Sequence, residues 1–112
     1  KILAKTPGDA EASAGRAQAR LFVRLQDADP AAAAERALAE PDDVDAALAM
    51  ADVELAGGDP EAAFQRLTDV VAATSGDDRE KARVRLLELF ETIGLSDPVV
   101  LKARRALMSA LF

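Results

Sequence analysis

The sequence contains no cysteine and no histidine, and these two absences remove several classes of functional site. Without cysteine there is no disulfide framework, no thiolate metal site and no redox centre. Without histidine the commonest general base and metal ligand is missing. The serines at positions 13, 75, 96 and 109 lie in ordinary helical or turn contexts and form no recognisable nucleophile motif. We therefore predict a protein that is not an enzyme, with no catalytic residue, no cofactor and no metal.

Basic charge is also scarce in most of the chain. The formal net charge is −6, and residues 1–75 hold 7 basic against 14 acidic side chains, whereas residues 76–112 hold 7 against 6. An acidic body argues against a nucleic-acid-binding module, whose binding face should be basic. No stretch approaches the roughly 18 apolar residues that span a bilayer, and no signal-peptide pattern is present. We expect neither nucleic acid nor a membrane among the partners.

Alanine and charged residues are what the sequence has in abundance. Half of the 112 residues are hydrophobic, but only 4% are aromatic, because alanine supplies much of the apolar count. This composition favours helix throughout, and no stretch alternates with the period of two that strands require. The length is that of one domain with a sizeable core.

The chain repeats with a period of 34 residues. Three aspartates and three leucines recur at this spacing: Asp9, Asp43 and Asp77, and Leu21, Leu55 and Leu89. Aspartate is a favoured N-cap because its carboxylate accepts hydrogen bonds from the free backbone N–H groups of the first turn. Asp77 and Glu80 also have the spacing of a capping box. We interpret the three aspartates as the starts of three equivalent helices.

Asp-Pro pairs mark a second set of starts within the repeats, at Asp29-Pro30, Asp59-Pro60 and Asp97-Pro98. Proline is favoured at the first helical position because its missing N–H would have no partner there. The two sets together predict six helices, at 10–26, 30–40, 44–57, 60–74, 78–94 and 98–111.

The predicted fold class is all-α, a right-handed solenoid of three helix pairs in a single domain, 1–112. Its repeats are 7–40, 41–74 and 75–112, and residues 1–6 form the tail of a preceding helix. Because the chain starts at a lysine rather than a methionine, we expect an N-terminal portion to precede it. The period, with segments such as GGDPEAAFQRLTDVV, resembles the tetratricopeptide repeat.

The second half resembles a more specific family, the bacterial thioredoxin–tetratricopeptide-repeat fusion proteins, also called chaperedoxins. The resemblance rests on DDVDAALAMADVELAGGDPEAAFQRL and on the segment from Gly76 to Phe112, above all RVRLLELF and the ending after Ala103. It implies a cytoplasmic co-chaperone, a holdase that binds unfolding proteins without ATP and passes them to the chaperonin. It also implies a thioredoxin-like domain before Lys1, as a partner in cis. The alternative is an adaptor or oligomerisation domain with one fixed protein partner.

Two charged groups of residues have a simple structural interpretation. The acidic groups Asp42-Asp43-Asp45 and Asp77-Asp78 lack the spacing of a calcium loop, and they lie where helix caps are needed. The basic residues of the run from Arg79 to Arg85 are interpreted as a solvated helix face, with partner binding as the alternative. The run lacks the interleaved aromatics of a nucleic-acid site.

Two surfaces are candidates for partner binding. In a solenoid the first helix of each pair lines a concave groove, for which the predicted residues are Arg16, Arg20, Met50 and Glu54. The last predicted helix carries one apolar face that closes the stack against helix 78–94. It carries a second apolar face beside it, consisting of Leu101, Met108 and Phe112 together with Arg104. This second face is buried within the chain, docks into a partner's groove, or contacts a second copy or the preceding domain.

Overall fold

The structure is a computed structural model that describes residues 7–112, with side chains described from Glu11 onward. It consists of six helices: α1 (Pro7–Gln26), α2 (Pro30–Ala39), α3 (Val44–Ala56), α4 (Pro60–Ala73), α5 (Gly76–Ile93) and α6 (Pro98–Leu111). This part of the chain contains no strand and no helix long and apolar enough to cross a membrane. The all-α prediction is confirmed, with helix bounds within three residues of those expected.

Aspartate caps determine where four of the helices begin. The N-cap carboxylates each accept one or two backbone N–H groups of the first turn, at N–O distances of 2.9–3.3 Å. These caps are Asp29, Asp43, Asp59 and Asp97. Three of them are followed by the predicted proline at the first helical position. The Asp-Pro interpretation is therefore confirmed.

Two predicted starts are wrong. Helix α1 already includes Pro7, so Asp9 lies inside its first turn. Helix α5 begins at Gly76, with Ser75 as its N-cap and no capping hydrogen bond from the serine side chain. Gly76 has φ 62°, a conformation that favours glycine, so the chain turns into the helix before it reaches Asp77. The predicted capping box is not formed, because Asp77 lies inside the helix and is not its N-cap, and Glu80 accepts hydrogen bonds from Arg83 instead.

The core lies between α3, α4 and α5. Its centre is an edge-to-face pair of rings, Phe64 on α4 and Phe90 on α5, whose centroids are 4.9 Å apart with the planes at 79°. Leucines from the three helices surround this pair, and α6 contributes its buried face to the same cluster: Leu48, Leu55, Leu67, Leu86 and Leu89, with Val100, Ala103 and Leu107. Three of the six helices thus supply most of the buried side chains.

Helix α4 is the central element, because α3, α5 and α6 all pack on it. Helix α2 packs on α3, and α1 packs on α5 and, over a smaller area, on α3. The expectation that α6 closes the stack against helix 78–94 is wrong, since α6 packs on α4 instead. The turn between α5 and α6 contains Gly94 at φ 122°, which only glycine adopts readily, and this turn takes the chain back across α4.

An ion pair joins α2 to the start of α3 and predicts a dependence on pH. The hydrogen bond from Arg36 Nη2, at 2.9 Å, holds the pKa of the Asp43 carboxyl below its ordinary value of 3.8. Because the folded pKa is depressed, this contribution to stability is present above the ordinary pKa and is lost as the pH falls through the folded value.

We expect Asp43→Asn to lower the Tm near pH 6 relative to the wild type, because asparagine keeps the cap but loses the ion pair. The difference should shrink as the pH falls below about 4, as circular dichroism melts at a series of pH values will show. Asp42→Asn is the control for net charge and should show a smaller difference at pH 6. A Tm difference for Asp43→Asn that is constant from pH 6 to pH 2 would contradict this assignment.

Candidate interaction surfaces

A network of four charged side chains joins the first helices of the three pairs. Asp52 on α3 is only 4% exposed, and two arginines reach its carboxylate. Arg24 Nε on α1 lies 2.8 Å from Asp52 Oδ2, and Arg85 Nη1 on α5 lies 2.7 Å from the same oxygen. Arg24 Nη2 also lies 2.6 Å from Glu88 Oε2 on α5. We call Arg24, Asp52, Arg85 and Glu88 the Asp52 network.

The energetics of the Asp52 network follow from its partial burial. Burial alone would lower the pKa of Arg24, but hydrogen bonds to Asp52 and Glu88 outweigh that effect, and the net pKa is raised. A carboxylate as buried as that of Asp52 is stable only when its charge is compensated. The two arginines supply this compensation from different helices. The network therefore ties α1 and α5 to α3.

Helix α1 makes further polar contacts along α5. The Ser13 hydroxyl donates to the Glu91 carboxylate, and the Gln18 side-chain amide donates to the Thr92 carbonyl at 3.2 Å. These contacts place α1 over the face that would line the concave groove of a regular solenoid. A depression of about 700 Å³ remains beside it, between α3 and α5. Charges that already form pairs line it, including Lys81 with Asp45 at 3.5 Å.

The structure does not bring the four predicted groove residues together. Arg20 on α1 lies 3.9 Å from Glu88 of α5, and Arg16 is exposed. Glu54 on α3 pairs instead with Arg66 of α4, at 2.8 Å, on another side of the molecule. Met50 is half-buried. The prediction assumed a groove lined by the first helix of each pair, whereas α1 lies mainly on α5 and contacts α3 only over a smaller area.

Sequence reasoning overlooked Asp52 and its partners, although one signal was available. Asp52 directly follows the buried Ala51. Leu48 lies four residues before it and Leu55 three residues after it, so Asp52 interrupts an apolar helix face. A lone acid at such a position needs a cation from another element. The pattern predicts the need for a partner, but the identity of the arginines depends on how α1 crosses α5.

The basic run of α5 is engaged within the chain. Arg79 Nε donates to the carbonyls of Val71 and Thr74 at the end of α4, at 3.0 and 2.8 Å. Lys81 and Arg83 form ion pairs, and Arg85 belongs to the Asp52 network. These contacts favour the structural interpretation of the run over partner binding.

The second apolar face of α6 is open to solvent. Leu101 is 42% exposed, Met108 is 57% exposed and Phe112 is 94% exposed. The alternative in which this face is buried within the chain is therefore wrong for the described residues. The first face is buried as predicted, through Val100, Ala103 and Leu107. We call Leu101, Met108 and Phe112 the α6 stripe.

Positive charge flanks the α6 stripe. Residues 98–112 contain Lys102, Arg104 and Arg105 and no acidic residue, so this segment carries +3. Since the whole chain carries −6, the remaining residues carry −9. The three basic side chains are exposed. The molecule is thus an acidic body with one basic, apolar helix on its surface.

A solvent-open cleft of about 660 Å³ lies between α3 and α4, and we call it the α3–α4 cleft. Its floor consists of small apolar side chains that are buried or half-buried, and the exposed Ala73 lies at its rim. The floor residues are Val44, Ala47, Ala62 and Val70. Four acidic side chains and one arginine stand around them: Asp42, Asp43, Glu54 and Asp69, with Arg66. This surface was not predicted from the sequence, because it depends on α2 packing on α3 and leaving this side of α4 uncovered.

Comparison with known proteins identifies the fold family. Residues 23–112 match the family described as Tetratricopeptide repeat. The chain is 42% identical over 111 residues to uncharacterized proteins of Mycobacterium bovis and of two strains of Mycobacterium tuberculosis. The match covers 99% of this chain but 36% of each relative, so the chain spans about a third of their length. No solved structure matches the chain.

The Asp52 network makes a prediction about stability. Asp52→Ala leaves Arg24 and Arg85 close together without their shared carboxylate, so we expect the free energy of unfolding to fall by about 3 kcal/mol. Urea denaturation followed by circular dichroism measures this loss. Asp45→Ala is the matched control, because it removes an exposed ion pair from the same helix and should cost less than about 0.5 kcal/mol. Equal losses in the two variants would contradict the assignment of a structural role to the network.

Proposed function

Because the chain belongs to the tetratricopeptide-repeat family, whose domains are protein–protein interaction modules, we propose that it is the partner-binding module of a thioredoxin-like co-chaperone. In this proposal the α6 stripe binds unfolding proteins and holds them for ATP-driven chaperones such as the chaperonin. The thioredoxin-like domain belongs to a part of the protein outside this chain. The proposal assigns no catalysis to residues 1–112.

The observation that carries the proposal is the exposure of the α6 stripe. Three large apolar side chains lie on one side of α6, whose other apolar face is buried against the core, and Phe112 is almost fully exposed. Methionine is flexible and polarizable, and such side chains adapt to apolar surfaces of different shape. A binding face of this kind suits many different partners, which have exposed apolar segments in common but no common sequence.

The acidic body and the basic flanks of α6 favour particular partners. Cations beside an apolar strip attract segments in which acidic and apolar residues are mixed. The groove of a regular solenoid is largely covered by α1, and the charges beside it are paired within the chain. This arrangement favours α6 over the concave face as the surface that meets a partner.

The relatives support a larger protein around this module. About two thirds of the length of each relative lies outside the matched region, which is room for at least one further domain. The resemblance of the segment from Gly76 to Phe112 to the thioredoxin–tetratricopeptide-repeat fusions is the reason for proposing a thioredoxin-like domain there.

A double substitution on the α6 stripe tests the proposed function. Met108→Asp/Phe112→Ala removes two apolar contacts, each worth about 1.5–3 kcal/mol when fully buried, so we expect client affinity to fall at least about tenfold. Light scattering of an aggregating client protein should show suppression by the wild type and little by the variant. Co-sedimentation with the chaperonin should weaken in parallel.

Leu38→Asp is the matched control, because Leu38 is 84% exposed and lies on α2, away from the stripe. It should suppress aggregation as well as the wild type does. Full client and chaperonin binding by the folded stripe variant would contradict the assignment to α6. A wild-type protein that suppresses no aggregation but binds one partner stably would instead indicate the adaptor function.

A further inference from the structure

The charge and shape of two surfaces on this chain fit one another. We propose that the α6 stripe of one copy docks into the α3–α4 cleft of a second copy, so that the protein associates head to tail. The inference deepens the proposed function and rests on it in one respect, that the α6 stripe is a docking surface. It adds a specific partner, a second copy, and a second surface that the partner uses.

The α3–α4 cleft has the character of a vacant helix-packing position. Helices α3 and α6 pack on two sides of α4, whereas the side that carries Ala62, Asp69 and Ala73 faces solvent. Its floor is apolar, and its volume of about 660 Å³ lies within the range of pockets that bury large side chains. A helix that offers protruding apolar side chains would fill it.

The charges of the two surfaces are opposite. Four carboxylates and a single arginine stand around the cleft. Arg36 and Arg66 already pair with two of these carboxylates, on Asp43 and Glu54. Asp42 and Asp69 are exposed and have no cation within ion-pair distance among the described residues. The cations of α6 complement them.

The two surfaces also agree in length. The lining of the cleft extends along α4 from Ala62 to Thr74, which at 1.5 Å per residue is about 18 Å. The α6 stripe extends from Leu101 to Phe112, or about 16 Å on the same basis. A single helix can therefore place all three side chains of the stripe along the cleft.

The contact is heterologous, because it joins two different surfaces, and a dimer therefore keeps one free stripe and one free cleft. Self-association therefore extends from copy to copy as the concentration rises. It also occupies the α6 stripe, so a client and a second copy compete for the same side chains. The associated form would store the binding face out of solvent until a client displaces the second copy.

Two full-length variants that each lack one surface test the proposal. Met108→Asp/Phe112→Ala removes the stripe and keeps the cleft, whereas Asp69→Arg/Ala73→Arg gives the cleft rim two cations and keeps the stripe. Asp69 and Ala73 are exposed, so the fold should survive, as circular dichroism checks. In sedimentation velocity the wild type should associate with rising concentration, and each variant alone should remain monomeric.

A mixture of the two variants distinguishes head-to-tail docking from packing of stripe on stripe. Head-to-tail docking predicts that an equimolar mixture forms a 1:1 dimer and nothing larger, because only one intact stripe and one intact cleft can meet. A mixture that stays monomeric overturns the proposal. A cleft variant that dimerises on its own also overturns it, because that result is expected if stripe packs on stripe. A wild type that stays monomeric at millimolar concentration also overturns it.

Client binding separates this inference from the proposed function. The cleft variant should suppress client aggregation at least as well as the wild type, because its α6 stripe is intact and uncovered. If the wild type self-associates but the cleft variant suppresses no aggregation, the self-association stands and the co-chaperone function fails. If the cleft variant suppresses aggregation and the wild type is monomeric, the co-chaperone function stands and the self-association fails.

Discussion

The carboxylate of Asp52 is almost completely buried, and the position of three helices follows from the need to compensate its charge. Arg24 from α1 and Arg85 from α5 both form ion pairs with this carboxylate. Arg24 also forms an ion pair with Glu88 of α5. A buried acid without such partners would cost several kcal/mol. Helix α1 therefore lies across α5, and the concave face of a regular solenoid is largely covered.

The position of the proposed interaction surface follows from this packing. With α1 bound to α5, the charges of the Asp52 network are paired with one another within the chain. Helix α6 packs on α4 and uses only one of its two apolar faces to do so. The α6 stripe is left as an apolar surface with basic flanks on an otherwise acidic protein. The proposed partner binding and the proposed self-association both depend on this difference in charge and polarity.

Local signals in the sequence predicted the helices, because each signal acts within a few residues. Aspartate caps and Asp-Pro pairs specify helix starts through hydrogen bonds to the next turn, and the starts at Asp43 and Asp97 are correct. Asp77 shows the limit of this reasoning, since the left-handed conformation of Gly76 moved the start of α5 to an earlier residue. The exposed apolar face of α6 was recognised from helical periodicity, but its exposure was one of three alternatives.

These local signals could not predict how whole helices pack on one another. The predicted groove residues Arg20 and Glu54 were placed on one surface by assuming regular pairs, and in the structure they contact α5 and α4 respectively. The α3–α4 cleft went unpredicted for the same reason, because it exists only where α2 fails to cover α4. Long-range contacts of this kind depend on loop geometry and on pairs of charges far apart in sequence, such as Arg24 and Glu88.

We propose that partners bind α6 while the Asp52 network keeps α1 over the concave face. The most direct test is a map of backbone amide chemical shifts of the full chain, recorded as a permanently unfolded client protein is added. We expect the shifts to change along residues 98–112, and those of Arg24, Asp52 and Glu88 to stay constant. Changes concentrated on α1, α3 and α5, with α6 unaffected, would contradict it.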